Sequence, residues 1–415
     1  MIHLPPELID SIVDNIAKED RATLKSLCLV ASVFLVACQR RLHTNLYVSS
    51  SSSKRPPTGS GWRSSSDALA HLTSSPHIAA YITHLTILIT NVDLDDEEMA
   101  LAMRDTTVAS VFRCLSRLKE ARIQGSAIYR GNSTRIRVVH PGIIQTFLDI
   151  YTSHRQLERT RKLKGLSFKL MDVEGLSVEL VRKALVSADS LSCVRVRLSL
   201  DSDSESEHNG SDVDNDNDNS HSPPPTSLTI SSSWMVLDLF SHLEFARHFS
   251  FLRHLTLQNI ATQNHLEICF FAAQTLETLH LSFQYRLLRD TLTFPVDFPR
   301  LHRVHLYIGM FFEDGEERVP SSSIALLSRA TALTELTLQF TDYLGMPSQL
   351  IFDPVSFATL DSMLVVHPTL SLFCYTVSNV AEDPAEYIDT LGGKIRQLMP
   401  RAAEKGILRV EHATS

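Results

Sequence analysis

A six-residue phrase recurs through most of this chain: apolar, two variable residues, apolar, variable, apolar. It reads Ile82-THLT-Ile87, Leu118-KEAR-Ile123, Leu163-KGLS-Phe168 and Leu191-SCVR-Val196 in the first half. It returns as Leu252-RHLT-Leu257, Leu276-ETLH-Leu281, Leu301-HRVH-Leu306 and Leu333-TELT-Leu338, with a weaker ninth copy near Leu370-SLFC-Tyr375. The last three residues of each copy alternate apolar, polar, apolar, the pattern of a short strand with one face buried. Helix-like segments lie between the copies, at Met99–Leu115, Ile143–His154, Val173–Ala188, Trp234–Phe249 and Ile324–Ala330. One strand and one helix cannot enclose a core, but stacked units can bury a continuous one.

Two of the intervals, from Leu252 to Leu276 and from Leu276 to Leu301, fall within the period of leucine-rich repeats. Their usual Asn or Cys at the ninth position is replaced by Thr90, Ser126, Met171, Ser199, Ile260, Gln284, Gly309 and Thr341. The expectation is therefore an α/β chain whose residues 67–412 form an irregular leucine-rich-repeat-like solenoid, a horseshoe with strands on the concave side. The longest interval, Leu191 to Leu252, contains an acidic run. Asp201 to Asn219 carries Asp201, Asp203, Glu205, Glu207, Asp212, Asp214, Asp216 and Asp218 without a Lys or Arg. These account for the whole excess of 47 acidic over 39 basic residues, so the remainder is neutral. An electrostatic nucleic-acid binder needs a basic face and is not expected. Residues 201–226 read as a disordered insertion. Asp212–Asn217 starts like a calcium loop, but Asn217 and Pro223 stand where that loop needs Gly and Glu.

Residues 1–48 read as a small helical module. Pro5 and Pro6 suit a helix start, Leu8, Ile9, Ile12, Val13 and Ile16 form one apolar stripe, and Asp20 can cap a second helix. The second helix would bury Leu24, Leu27, Cys28 and Ala31. A third would turn Phe34, Ala37 and Cys38 inward and Arg40 and Arg41 outward. Residues 49–66, rich in Ser with Pro56, Pro57, Gly59 and Gly61, read as a linker. The opening Leu4-Pro5-Pro6-Glu7-Leu8-Ile9-Asp10-Ser11-Ile12-Val13, with Leu24 and Leu27 through Phe34, resembles the F-box. An F-box start, a Ser-rich linker and leucine-rich-like repeats together look like the large F-box families of mushroom-forming fungi. The resemblance implies docking on a Skp-type adaptor and, through it, a cullin. It implies that Leu4, Pro5, Leu8, Ile12, Leu24, Leu27, Val30 and Phe34 form or support the docking surface.

The fifth residue of each phrase and the residue after it give two mostly polar columns, an extended recognition face for a protein target. Arg122, Arg195, Arg197, His280, His305 and Tyr307 are the foremost candidates, since Arg and Tyr anchor many interfaces. His302 and His305 lie three apart on a strand, hence on opposite faces, and no four-ligand set surrounds them, so no metal is expected. No G-x-S-x-G, H-E-x-x-H, Walker A or G-x-G-x-x-G motif occurs, and neither an enzyme nor a cofactor is expected. No apolar run is long enough to span a membrane, and six scattered cysteines suit a reducing compartment, cytoplasmic or nuclear. The functional expectation is a substrate-recognition subunit of a Skp–cullin–F-box ubiquitin ligase. The alternative is a leucine-rich-repeat interaction scaffold with no ligase link.

Overall fold

The structure, a computed structural model, describes residues 4–17, 20–49, 63–89, 107–125, 128–130, 133–135, 167–198, 225–283, 293–309, 316–317, 321–342, 351–379 and 384–413. The chain is α/β and divides into two compact units, Met1–Ser222 and Pro223–Ser415. The acidic run 201–219, the basic residues Arg155–Lys164 and the helix expected over Ile143–His154 lie outside the described residues.

The first unit opens with three helices, α1 (Pro6–Asp14), α2 (Arg21–Val30) and α3 (Ser32–Leu42). Pro6 occupies the first turn of α1, and Asp20 caps α2 by accepting from the Thr23 N–H at 3.0 Å and its hydroxyl at 2.6 Å. Val13, Leu24, Ala37 and Cys38 form a small core, with Ile9, Ile16, Leu27, Cys28, Phe34 and Leu42 packed against it. Arg40 and Arg41 do not simply point outward. They pair with Asp10 (3.4 Å) and Asp14 (2.8 Å) and so tie α3 to α1.

Strands β1 (Asn45–Ser49), β2 (Arg63–Ser64), β3 (His84–Ile89), β4 (Glu120–Gly125), β5 (Ser167–Met171) and β6 (Ser190–Val194) follow. They pair in parallel in the order β2–β1–β3–β4–β5–β6. The linker expected at 49–66 is thus shorter: Ser49 is buried in β1, Arg63 and Ser64 pair with it, and Ser64 caps α4 (Ser65–Ser74). A serine capping a helix serves the fold as well as a serine in a linker does, and composition does not separate the two. A short helix, α5 (Pro76–Ala79), precedes β3. Parallel neighbours require a crossover each, and the helix Thr107–Arg113 lies between β3 and β4, Val178–Ser187 between β5 and β6.

The second unit repeats the scheme with β7 (Ser227–Ser231), β8 (His254–Ile260), β9 (Thr278–Phe283), β10 (Arg303–Gly309), β11 (Glu335–Asp342), β12 (Leu372–Asn379) and β13 (Leu408–His412). All are parallel and paired in sequence order. The expected helix over Trp234–Phe249 is broken into Trp234–Phe240, a 3-10 turn at Leu243–Phe245 and Ala246–Phe249. One apolar row runs across the sheet through Leu228, Leu255, Leu279, Val304, Leu336 and Phe373, and a second through Ile230, Leu257, Leu281, Leu306, Leu338 and Tyr375. All twelve are buried. At about 25 cal/mol per Å² of apolar surface, burying these two rows contributes to the stability of the unit together with the buried helix residues packed on them.

Two phrases are out of register with the strands. Phe168 and Leu191, not Leu166 and Val194, pair in the row of Leu85 and Ala121. Lys169 therefore replaces Ser167 beside Arg122, and Ser192 replaces Arg195 in the next position. A shift of three residues reverses the face that each side chain meets.

Candidate functional site

The N-terminal helices present more apolar surface than their core uses. Leu8 and Ile12 lie four apart on α1, on one face, and remain 52% and 43% exposed. Leu4 and Pro5 precede them and are also exposed. At the end of α2, Leu29 is 88% and Val30 78% exposed, and Val33 and Val36 stand open on α3. The stripe expected on α1 is split: Val13 enters the core while Leu8 and Ile12 face solvent. Leu24 is buried and supports the module from within, while Leu27 and Phe34 are half-buried and pack against its core. Leu29, Val33 and Val36 escaped the sequence reading. Their signal was available as apolar residues that two short helices cannot all bury.

The strands carry a second candidate surface. In the second unit the polar column is Thr229, Thr256, His280, His305, Thr337, Cys374 and Arg409, in direct cross-strand register. A parallel column holds Ser231, Gln258, Ser282, Tyr307, Gln339, Thr376 and Glu411. Neighbours are linked: the Ser231 hydroxyl donates to Gln258 Oε1 (2.5 Å), and His305 Nε2 donates to Gln339 Oε1 (2.8 Å). The Tyr307 hydroxyl meets Thr341 Oγ1 at 2.6 Å, and Thr341 meets Ser378 at 2.9 Å. The rings of His280 and His305 lie side by side, their centroids 5.2 Å apart. Such cross-linked side chains hold fixed positions, so a partner would meet a preorganised face.

In the first unit Arg122 lies in the equivalent column on β4, beside Lys169 on β5. Both are held by Glu120, at 3.9 Å from Arg122 and 3.0 Å from Lys169. Arg195 and Arg197 are not in this column. Arg195 forms a two-armed ion pair with Asp172, its Nη2 donating at 2.9 Å, and both residues take left-handed backbone angles, φ 52° and 56°. Arg197 pairs with Glu174 in a separate short two-stranded ladder. These two arginines shape the strand ends. The same corner recurs in the second unit, where Ser232 and Asn259 are left-handed and the Asn259 amide donates to the Ser232 hydroxyl at 2.7 Å.

His302 lies just before β10 and is exposed, and no cluster of three metal-ligating side chains occurs among the described residues. No described helix is long and apolar enough to cross a membrane. No protein-family model matches the chain, and no curated protein matches it either.

Burial holds His43, His71, His280, His305 and His367 below the ordinary histidine value of 6.5, with neighbouring cations or histidines adding to the effect at all except His305. The unfolded chain therefore binds more protons than the folded one as pH falls below that value. Stability is fully present above about pH 7 and is lost as pH falls through 6.5 toward the lower folded values. Chemical denaturation between about pH 7.5 and 5 should show a falling midpoint, and a midpoint that stays level would contradict this burial.

Proposed function

We propose that the chain is the substrate-recognition subunit of a Skp–cullin–F-box type ubiquitin ligase. On this reading α1–α3 are an F-box, and Leu4, Pro5, Leu8, Ile12 and Val30, joined by Leu29, meet the Skp adaptor. The strand–helix units are an irregular leucine-rich-repeat-like solenoid, and its polar columns, with Arg122, His280, His305 and Tyr307, hold a protein target. The chain itself makes and breaks no bond. It raises the effective concentration of the target near a conjugating enzyme carried by the cullin, and proximity supplies the rate. It would work in the cytoplasm or nucleus, where such ligases meet their targets.

The observation that carries the reading is the row of exposed apolar side chains on a module whose core has four buried members among the described residues. Solvent exposure of large aliphatic groups at helical spacing is unfavourable unless a partner covers them. The polar columns favour a second reading, an interaction scaffold without a ligase link, because they need no adaptor to recruit a partner. Co-purification of the full chain with a Skp adaptor separates the two. A stable complex supports the receptor. A chain that recruits a target but leaves the adaptor in the unbound fraction supports the scaffold.

A further inference from the structure

Two guanidiniums and two imidazoles line one cavity of about 270 Å³ in the first unit. Arg21 comes from α2, His43 from the residue after α3, Arg63 from β2 and His71 from α4. Leu42, Leu46, Leu72 and Ile82 supply an apolar wall, Tyr47 on β1 lines it as well, and no Asp or Glu does among the described residues. The rings of His43 and His71 lie 6.3 Å apart, and Nε2 of His71 is closed off from solvent with no hydrogen-bond partner. His77 on α5 adds a further group that charges when protonated.

Among its described residues this wall carries two guanidiniums and two imidazoles and no carboxylate to balance them. An anion would balance them, and lining residues drawn from four separate elements suit a tetrahedral oxyanion that accepts hydrogen bonds from several directions. We propose that this cavity binds a phosphate group, held by Arg21 and Arg63 and by protonated His43 and His71. The volume admits a phosphate with a small organic group against the apolar wall, so free phosphate and a small phosphomonoester share the chemistry.

Burial first, and then the surrounding cations, keep both imidazoles below their ordinary value in the unliganded protein. A bound dianion reverses the second effect, so binding takes up protons and tightens as pH falls. The proposal is independent of adaptor docking, because none of its residues is on the exposed apolar row.

Isothermal titration of the full chain with inorganic phosphate, phenyl phosphate and sulfate, at about pH 6 and 7.5, tests it. Sulfate stays a dianion at both values, so any pH dependence it shows reports the protein's own protons. Expected are saturable one-to-one binding, sulfate affinity at least about fivefold higher at pH 6, and proton uptake revealed by comparing two buffers. Phenyl phosphate binding tighter than phosphate points to an organic ester as the ligand, and equal affinity to free phosphate. The double variant Arg21→Gln/Arg63→Gln should lose at least about tenfold in affinity while its melting temperature is followed in parallel. No saturable binding by tens of millimolar, or binding that the folded variant retains, overturns the assignment. Should the variant fail to fold, proton uptake by the wild-type chain with sulfate decides, and its absence is equally fatal.

Discussion

Replacing Leu8 and Ile12 together by aspartate is expected to lower adaptor affinity by roughly 4 kcal/mol, on the order of a thousandfold, while leaving the fold intact. Two well-buried aliphatic anchors at an interface each contribute about 2 kcal/mol, and a carboxylate in their place must be desolvated without a partner. The fold should survive because neither side chain belongs to the core of Val13, Leu24, Ala37 and Cys38. The cost to stability is the poorer helix propensity of aspartate, under about 1 kcal/mol in all. Leu24→Ala is the contrasting variant. It removes a buried side chain from a very small core and should cost about 3 kcal/mol, unfolding the module together with its docking surface. Pull-down of both variants, with circular dichroism of each, separates a lost contact from a lost fold. Adaptor binding undiminished by the two aspartates would mean that α1 is not the docking helix.

Gly125→Ala is expected to destabilise the first unit by about 3 kcal/mol, with a fall in melting temperature of roughly 6–12 °C. Gly125 ends β4, and a Cβ there would lie 2.0 Å from the carbonyl oxygen of Asp172 and 3.0 Å from its carbonyl carbon. The obstacle is backbone, so no side-chain rotation relieves it. Asp172 is also fixed from the other side, by its N–H on the Val194 carbonyl (3.0 Å) and by its ion pair with Arg195. A glycine where a second backbone approaches this closely marks a place the fold cannot yield cheaply. Thermal unfolding followed by near-ultraviolet circular dichroism measures the effect. A variant as stable as the wild type would show that Asp172 and Arg195 are not held as described.

Particular residues show why the strands were more legible than the surfaces. Eight strong phrases and one weak copy each lead to a strand, because alternation around two buried aliphatics is enforced by the sheet itself. Three further strands went unread. Leu46-Tyr47-Val48, Leu228-Thr229-Ile230 and Leu408-Arg409-Val410 keep the alternating triplet, but His43, Pro225 and Lys405 stand where the phrase starts with an apolar residue. β2 carries two residues, too few for any pattern. Register failed in the Leu163 phrase because a shift of two preserves the alternation, and in the Leu191 phrase because Leu191-Ser192-Cys193 and Val194-Arg195-Val196 are both apolar-polar-apolar triplets. That slip cost Arg195 and Arg197 their predicted places on the polar column.

The helical module was legible as helices but not as a surface. A period of 3.6 identifies a stripe without saying which of its members meets the core and which meets a partner. Leu8 and Ile12 fell on the open side and Val13 on the closed side only once α3 was in place, tied by Arg40 and Arg41 to Asp10 and Asp14. Leu29 and Val30 became conspicuous for the same reason: the short turn at Ala31 sends α3 away before they can be covered.

The most direct measurement is amide hydrogen exchange of the full chain with and without a Skp adaptor. The proposed function predicts a complex at micromolar concentrations and slowed exchange over Leu4–Val13 and Leu29–Val36, with the strands of Pro223–Ser415 unchanged. No complex, or a complex whose protection falls elsewhere while those two segments exchange as in the free chain, would contradict it.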